Sequence, residues 1–318
     1  MLLNDSKQVS ETLARRYSST GAIFVLIYSV MSAAKEVVIG HVVQDTDPNL
    51  LVFLSFGLVT LIFNADIIFN FRSFSKGWSI FSKSFREIAL LNLETALAWG
   101  CFFWAVRYLE PAVVSAVTVG ISPLFSQLLG IECDNNRNVK IRVFFSALTA
   151  FFLLSSTYLG VSAIGDINSG AFWTGALLCG LGGAAIALVT SRSRRLYKHG
   201  YNAFDLMRTR FVLLVCLSGI SAFMSGDLTP GSGTFILAGI IAVLGIAVPI
   251  FALQKGLERC GSTTVLLIIA CAPGFTWLFQ LFDSRLHYSV STVVAICSLF
   301  LIACWNVVSE QRQLDRKN

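Results

Sequence analysis

The chain has 318 residues, of which 55% are hydrophobic and 13% are charged, and its mean hydropathy is +0.72. This composition excludes an ordinary soluble domain, whose charged fraction is about twice as large. The formal net charge of +6 does not predict nucleic-acid binding, because the basic residues lie in short breaks between apolar runs and form no patch beside a nucleic-acid-reading module.

Ten apolar segments follow one another along the chain, each near the length of about 20 residues that a helix needs to cross a bilayer. They run over 21–40, 49–70, 87–107, 111–131, 141–162, 170–191, 204–224, 233–254, 262–282 and 288–308. The breaks between them are short. The sequence therefore predicts an all-α polytopic membrane protein with ten transmembrane helices and no separate soluble domain.

Positive charge is distributed unevenly between the two sides of these segments. Of the 24 Lys and Arg residues, 21 lie at alternate breaks or tails, which we call the basic side. The opposite, non-basic side contains only Arg107 and Arg285, and Lys35 lies inside the first segment. Short basic segments resist translocation. We therefore expect the basic side and both termini to be cytoplasmic, in a multi-pass protein of the cell inner (plasma) membrane.

A weak internal repeat relates the two halves of the chain. Residues Phe103–Glu110 match Phe251–Glu258, with aromatic, basic, Leu and Glu residues in step, and each copy leads into an apolar segment with a central proline. Five spans are an odd number, so the two copies are expected to insert with opposite orientations, as in many secondary transporters. The predicted units are an N-terminal tail over 1–20, repeats over 21–162 and 170–308, and a C-terminal tail over 309–318.

In these features the chain resembles the drug/metabolite transporter superfamily, and particularly its ten-helix EamA-type branch. The residues that carry the resemblance recur in both halves: Tyr108, Ser115 to Ser122, Pro123 and Glu132, then Gly256, Pro273 and Asp283. The resemblance implies a secondary active transporter that exports a small polar metabolite, such as an amino acid, by alternating access. It also implies a substrate site near the midplane, between two inverted five-helix halves.

The first segment carries a polar stripe that is a candidate part of that site. Tyr28, Ser32, Lys35 and Glu36 recur at helical spacing and share one face. Ionisable residues inside a span are costly and are functional candidates, so this face is expected to line the protein interior. The alternative is that Lys35 and Glu36 reach interfacial water near the end of the helix.

The third segment contains a carboxylate, Glu94, with Trp99 about one turn further on. We expect Glu94 to bind a cationic substrate group, to carry a coupling proton, or to balance Lys35. The alternative is a packing role, with the carboxyl group bonded to neighbouring hydroxyls. Trp99 is a candidate wall of the substrate cavity.

Two central prolines, Pro123 and Pro273, are candidate hinges, because proline removes a backbone donor and permits bending. Ser122 lies beside the first proline and Trp277 follows the second, so both are candidate binding residues near the midplane. The alternative for each proline is a kink that serves packing alone.

Other function classes remain as alternatives. The chain lacks a Walker A loop and the common metalloprotease and serine-hydrolase motifs, so no enzyme activity, cofactor or metal is predicted. The expected partners are a small-molecule substrate and the lipid bilayer, with a proton as a candidate coupling ion. The alternatives are an importer or exchanger of a nucleotide-like metabolite, a membrane receptor, a lipid-handling subunit and an intramembrane enzyme.

Overall fold

The computed structural model describes residues 2–69, 84–131, 137–161, 163–164, 167–226, 231–259, 265 and 268–315. Within these ranges the chain is helical and contains no β-strand, as the sequence predicts. Glu132, one of the residues that carry the family resemblance, lies outside the described residues. Glu258, the last residue of the second repeat copy, lies in a helix, but its side chain is outside the described part of the structure.

The described residues of the first half form five uninterrupted helices. These are α1 (Leu2–Val42), α2 (Pro48–Phe69), α3 (Phe85–Tyr108), α4 (Pro111–Leu128) and α5 (Arg137–Tyr158). Local chemistry fixes where some of them begin. The Asp47 carboxylate accepts hydrogen bonds from the backbone N–H groups of Asn49 and Leu50, and so caps α2. Pro111, which needs no hydrogen-bond partner for its nitrogen, stands at the start of α4.

The second half is less regular. Where the structure describes it, its elements are α6 (Ser169–Lys198), α7 (Ala203–Thr209), α8 (Val212–Ser225), α9 (Ser232–Ile240), a π-helix (Ile241–Ala247), α10 (Val248–Arg259), α11 (Ala272–Gln280) and α12 (Val290–Asp315). The predicted segment 204–224 is broken at Arg210 and Phe211, which join α7 to α8. The segment 233–254 is continuous but contains the π-helix. The sequence did not predict either feature.

Seven helical stretches in the described residues are long and apolar enough to cross a membrane, when the break at Arg210 and the π-helix are each counted within one stretch. They run over Ser19–Val42, Pro48–Ala65, Phe85–Tyr108, Pro111–Leu128, Ser169–Lys198, Ala203–Ser225 and Ser232–Leu257. The apolar helices that match the other three predicted segments have only 10–17 residues, and they run over Val143–Tyr158, Ile268–Gln280 and Val290–Ile302. The described chain is therefore an apolar helical bundle with several helices that are long and apolar enough to cross a membrane.

The outer surface of the bundle is apolar. Large hydrophobic side chains such as Leu61, Phe151 and Leu177 are more than half exposed. Exposed apolar area on this scale is expected where the surrounding solvent is lipid. The interior instead holds an aromatic cluster around Phe56 and Phe103, which are fully buried.

Helices α4 and α6 approach closely through small residues. A side-chain carbon added at Gly183 would lie 2.4 Å from a methyl carbon of Ile121 and 3.2 Å from the carbonyl oxygen of Thr118. Glycine removes this clash and lets the two backbones pack directly. Helix α6 also packs along α3, and α1 packs against α10 and α11.

The breaks on the non-basic side meet at one end of the bundle. The Gln44 side chain donates to the carbonyl oxygen of Arg107, and the His287 backbone N–H donates to the carbonyl oxygen of Ala163. Breaks that the sequence assigns to the same side are therefore neighbours in space. We call this the non-basic end, and the opposite end the basic end.

Candidate functional site

The polar stripe on α1 faces the interior of the bundle. Ser32, Lys35 and Glu36 are each exposed by less than a tenth, and Tyr28 is half-buried. Lys35 and Glu36 therefore do not reach water at the end of the helix. Their contacts define a polar cluster on the inner faces of α1, α3, α4 and α11.

Lys35 lies against two aromatic rings of α3. Its ammonium nitrogen is 4.4 Å from the ring centroid of Trp99 and 5.2 Å from that of Phe102, and it donates to the Ser32 hydroxyl at 3.1 Å. A cation over aromatic faces is stabilised by the ring quadrupoles, and more strongly when it is desolvated. The structure thus places Trp99, the predicted wall of the substrate cavity, in contact with Lys35.

The hydroxyl group of Thr276 donates to Glu36 Oε2 at 2.7 Å, and hydroxyl groups of Ser115 and Ser32 also hydrogen-bond to this carboxylate. Glu36 therefore connects α1 to α4 and α11. A carboxylate held by several neutral hydroxyls keeps acceptor sites that a ligand or a proton can use.

The π-helix lies directly opposite Lys35. A side-chain carbon added at Gly245 would lie 2.8 Å from Lys35 Cγ, so the lysine stem occupies space that only glycine leaves free. π-Helices are rare and occur frequently at functional sites. Hydropathy cannot reveal this element, because its sequence is as apolar as the α-helices on either side.

The break between α7 and α8 directs Arg210 into the interior, where the side chain is 5% exposed. The Asn92 side-chain amide of α3 donates to the carbonyl oxygen of Thr209 at 2.8 Å and accepts from the backbone N–H of Leu213 at 3.2 Å. Asn92 thereby satisfies backbone groups that the break leaves without helical partners. Asn64 adds a hydrogen bond to the carbonyl oxygen of Arg208.

The buried side chain of Arg210 has a hydrogen-bond donor without a protein partner. It lies over the ring of Phe211 at 5.3 Å, and its Nε atom is buried without a hydrogen-bond partner. Within the part of the chain that the structure describes, no carboxylate forms an ion pair with Arg210. The sequence pattern places Arg210 in a basic break, so it did not predict that this side chain is buried.

Arg210 and Lys35 are connected by aromatic contacts. The ring of Phe211 lies 5.1 Å from that of Phe56, which lies 5.0 Å from the ring of Trp99 beneath Lys35. Tyr28 also interacts electrostatically with both Glu36 and Arg210. The site therefore has two buried cations and one buried carboxylate around an aromatic wall.

Glu94 is not part of this cluster. Its two oxygens accept three hydrogen bonds from Arg192 of α6 at 2.7–3.0 Å, and Arg192 also contacts Glu87 at 2.5 Å. The structure therefore pairs Glu94 with Arg192 rather than with Lys35. A bidentate pair of this kind ties α3 to α6. Whether Glu94 also binds substrate or a proton stays a prediction.

The remaining predicted residues lie at different places. Ser122 and Pro123 are about 10 Å further along α4 than Ser115, which contacts Glu36, and Pro123 is exposed within a continuous helix. Pro273 is buried at the start of α11, just after a turn at Cys271, so here the helix is interrupted. Trp277 packs against Tyr288, at 6.0 Å between ring centroids, rather than against Lys35.

The non-basic end is closed by a buried carboxylate, Glu110. It accepts hydrogen bonds from the Gln280 amide at 2.6 Å and the Ala163 backbone N–H at 2.9 Å, and Thr292 lies at 3.4 Å. Burial raises the pKa of Glu110, although these donors act in the opposite direction. The residue joins α4, α11, α12 and the loop after α5.

Asp283 forms a second closure at the same end. Burial disfavours its charge, but hydrogen bonds and the positive charge of Arg285 outweigh that effect and lower the pKa of Asp283. The Arg285 guanidinium also donates to the carbonyl oxygen of Gly40, at 2.9 Å. This contact joins the end of α1 to the loop between α11 and α12.

The basic end contains an open pocket of about 520 Å³, lined by Tyr197, Lys198, Tyr201, Asn202, Lys255 and Leu257. The Tyr197 hydroxyl hydrogen-bonds to the Gln254 side chain, and Tyr197 also interacts electrostatically with Arg210. Tyr197 therefore lies both in the wall of this pocket and near the buried arginine. Among the described residues, no group of three or more His, Cys, Asp or Glu residues is arranged to hold a metal ion.

Comparisons with known proteins establish the fold and nothing narrower. No protein-family model and no curated protein matches the chain. Twelve chains of solved structures match it. One of them, a crystal structure of a protein, is 16% identical, with a TM-score of 0.65 over 93% of this chain and 98% of that one. At this identity the likeness shows that nearly the whole chain adopts a helical architecture that has been seen before.

Proposed function

We propose that the protein is a secondary active transporter that moves a small polar metabolite by alternating access. The observation that carries this proposal is the buried Lys35–Glu36 cluster, which lies within an apolar bundle beside a π-helix and two interrupted helices. Charged groups are costly in such an interior unless they serve a ligand or ion pathway. Irregular backbone at membrane depth is tolerated where it lines a cavity.

The architecture that we propose has ten spans in two inverted five-helix halves, as in the EamA-type branch of the drug/metabolite transporter superfamily. Helix contacts that occur in matched pairs support it. The contact of α3 with α6 is mirrored by that of α10 with α1, and the contact of α4 with α6 is mirrored by that of α11 with α1. The pairs α2–α8, α4–α11 and α5–α12 each join helices in equivalent positions. A pseudo-twofold axis would generate this pattern.

The closure of one end supports alternating access. The Glu110 and Asp283 networks join helix ends on the non-basic side, whereas the basic side has an open pocket lined by Lys198 and Lys255. In the proposed orientation the basic side is cytoplasmic, in the inner membrane. The structure then corresponds to a state that is closed to the outside, as a transporter is before it exports a substrate.

A transport assay tests this function. Everted vesicles containing the full-length protein would be loaded from a panel of labelled metabolites, with and without a proton gradient. At least one compound should accumulate above protein-free vesicles. Lys35→Gln and Glu36→Gln should reduce its uptake at least tenfold, because each substitution removes a charge from the cluster, whereas Arg195→Gln, which changes an exposed residue, should not.

Two results would contradict the proposal. Uptake that is unaffected by both cluster substitutions would place the transport path elsewhere. Tight binding of a panel compound without any translocation would favour a membrane receptor or a lipid-handling subunit instead.

A further inference from the structure

We propose that the central site binds an organic anion, and that Arg210 is the residue that selects it. The ligand that we infer is a small monoanion, a carboxylate or a phosphate ester, with an apolar or aromatic body. This inference names the substrate class of the proposed transporter and so rests on that function for its role in transport. Binding itself can be tested without any transport measurement.

The first argument is the unmet bonding capacity of Arg210. A guanidinium has five N–H donors in a planar fork that suits the two oxygens of a carboxylate or phosphate. Here the side chain is 5% exposed, its Nε is buried without a partner, and among the described residues no carboxylate pairs with it. Buried charges in proteins are ordinarily paired. A ligand anion would supply the missing partner.

The second argument is the charge balance around the aromatic wall. In formal charge, Lys35 and Arg210 count as two cations and Glu36 as one anion, so basic side chains outnumber acidic ones by one in this cluster. Glu94 does not correct this excess, because its oxygens are engaged by Arg192. A monoanion would neutralise the cluster, whereas a cation would add to the excess.

The third argument concerns the body of the ligand. The rings of Phe211, Phe56 and Trp99 form a continuous wall between the two cations, with centroid separations of 5.1 and 5.0 Å. Aromatic faces favour flat or apolar groups. Tyr28, which lies near both Arg210 and Glu36, adds a hydroxyl to the same surroundings. A carboxylate on a small apolar body matches these surroundings.

Access from the basic end is consistent with an anionic ligand. The pocket at that end carries Lys198 and Lys255, and its Tyr197 interacts electrostatically with Arg210. Positive charge around an opening raises the local concentration of anions. Tyr197, whose hydroxyl donates to Gln254, belongs to the wall of this pocket.

The test uses probes that differ in charge at nearly constant shape. Full-length protein in lipid nanodiscs would be titrated with phenylacetate, phenylacetamide and phenethylammonium, and with the matching indole and isobutyl series. Phenyl phosphate would be added to separate a phosphate ester from a carboxylate. The shift of the thermal unfolding midpoint with concentration reports affinity. In at least one series the anion should bind tenfold or more tightly than the amide, and the ammonium compound should bind most weakly.

Three variants locate the effect. Arg210→Gln should reduce the anion preference to threefold or less. Arg210→Lys keeps the charge and loses the fork, so it should keep the preference and bind the anion at least threefold more weakly. Arg195→Gln, which removes an exposed guanidinium, should behave as the unchanged protein.

The inference is overturned if no anion binds in any series, if the amide or ammonium compound is preferred, or if the preference survives in Arg210→Gln. If Arg210→Gln does not fold, equal anion affinity in Arg210→Lys and the unchanged protein overturns it instead. Transport of a neutral or cationic metabolite would leave the proposed function standing while this inference fails. Selective anion binding without transport would support this inference while the proposed transport function fails.

Discussion

The pair formed by Glu94 and Arg192 shows that the role expected of a buried carboxylate depends on its partner. A carboxylate inside a span is a functional candidate by default. With three hydrogen bonds from one guanidinium, however, Glu94 already has a strong partner on the neighbouring helix. We therefore expect its main contribution to be to stability, by holding α3 to α6.

Replacing Glu94 with Gln tests that role. Removing one member of a buried ion pair leaves the other charge uncompensated, so we expect Glu94→Gln to lower the free energy of unfolding by about 3 kcal/mol. The double variant Glu94→Gln with Arg192→Gln should recover part of this loss. Thermal unfolding in nanodiscs measures both. A stable Glu94→Gln protein with an altered pH profile of transport would instead support a role for Glu94 in substrate or proton binding.

Glu110 and Asp283 close the same end but should respond to pH in opposite directions. The pKa of Glu110 is raised in the folded protein, so the stability that it permits falls as the pH rises from its ordinary range through the raised value. The pKa of Asp283 is lowered, so its stabilisation is present above its ordinary range and is lost as the pH falls through the lowered value.

Unfolding midpoints measured against pH check these signs. The midpoint of the unchanged protein minus that of Glu110→Gln should decrease as the pH rises above the ordinary carboxyl range. The corresponding difference for Asp283→Asn should decrease as the pH falls below that range. Two differences with the same slope would show that the environments of the two carboxylates have been assigned wrongly.

At the scale of the element, the break between α7 and α8 depends on a residue of another helix. Asn92 satisfies the carbonyl of Thr209 and the N–H of Leu213, which would otherwise lack partners in an apolar interior. An orphaned buried backbone group costs about 1–3 kcal/mol. The break is therefore stable only while α3 packs beside it, and the position of Arg210 depends on the same contact.

We expect Asn92→Leu to affect the site through the backbone. It should lower the free energy of unfolding by about 2 kcal/mol, because two backbone groups lose their partners. It should also weaken anion binding, because Arg210 shifts. Asn49→Ala is a matched control, since Asn49 contacts Trp104 away from the break. Unchanged stability and binding in Asn92→Leu would show that the break maintains itself.

The sequence predicts the positions of these helices more accurately than it predicts their interruptions. The length and hydropathy of the segments reveal α2, α3 and α4, and the stripe of Lys35 and Glu36 reveals the inner face of α1. Nothing local marks the break at Arg210, because the residues that stabilise it, Asn64 and Asn92, lie on other helices. A proline does mark the interruption at the start of α11, where the loss of a backbone donor is a local property.

At the scale of the whole molecule, the breaks assigned to the non-basic side do meet at one end. The contacts of Gln44 with Arg107 and of His287 with Ala163 show this. The arrangement follows from helices that cross the bundle in alternate directions, which is what the charge distribution predicts. For three of the predicted spans the described apolar helices have 10–17 residues, so their crossing belongs to the proposed architecture.

Single-cysteine labelling tests the orientation. A cysteine at Asp45, in the loop after α1, should react with a membrane-impermeant maleimide from outside intact cells. A cysteine at Arg195, at the end of α6, should react only after the membrane is opened, because basic segments remain in the cytoplasm. Reaction of the Asp45 position only from the cytoplasm would reverse the orientation and, with it, the proposed direction of transport.

The two halves differ in regularity, and this difference has a practical consequence for anyone who wishes to stabilise the protein. Helices α1 to α4 are uninterrupted, so apolar or helix-favouring changes on their lipid-facing sides can be made without disturbing a bend. In the second half the same approach carries a risk. An alanine in place of Gly245 would press on the stem of Lys35, and a change that straightens the chain at Arg210 would draw the guanidinium out of the interior. Stabilising changes are therefore better placed in the first half, where no interrupted helix among the described residues holds a buried cation in position.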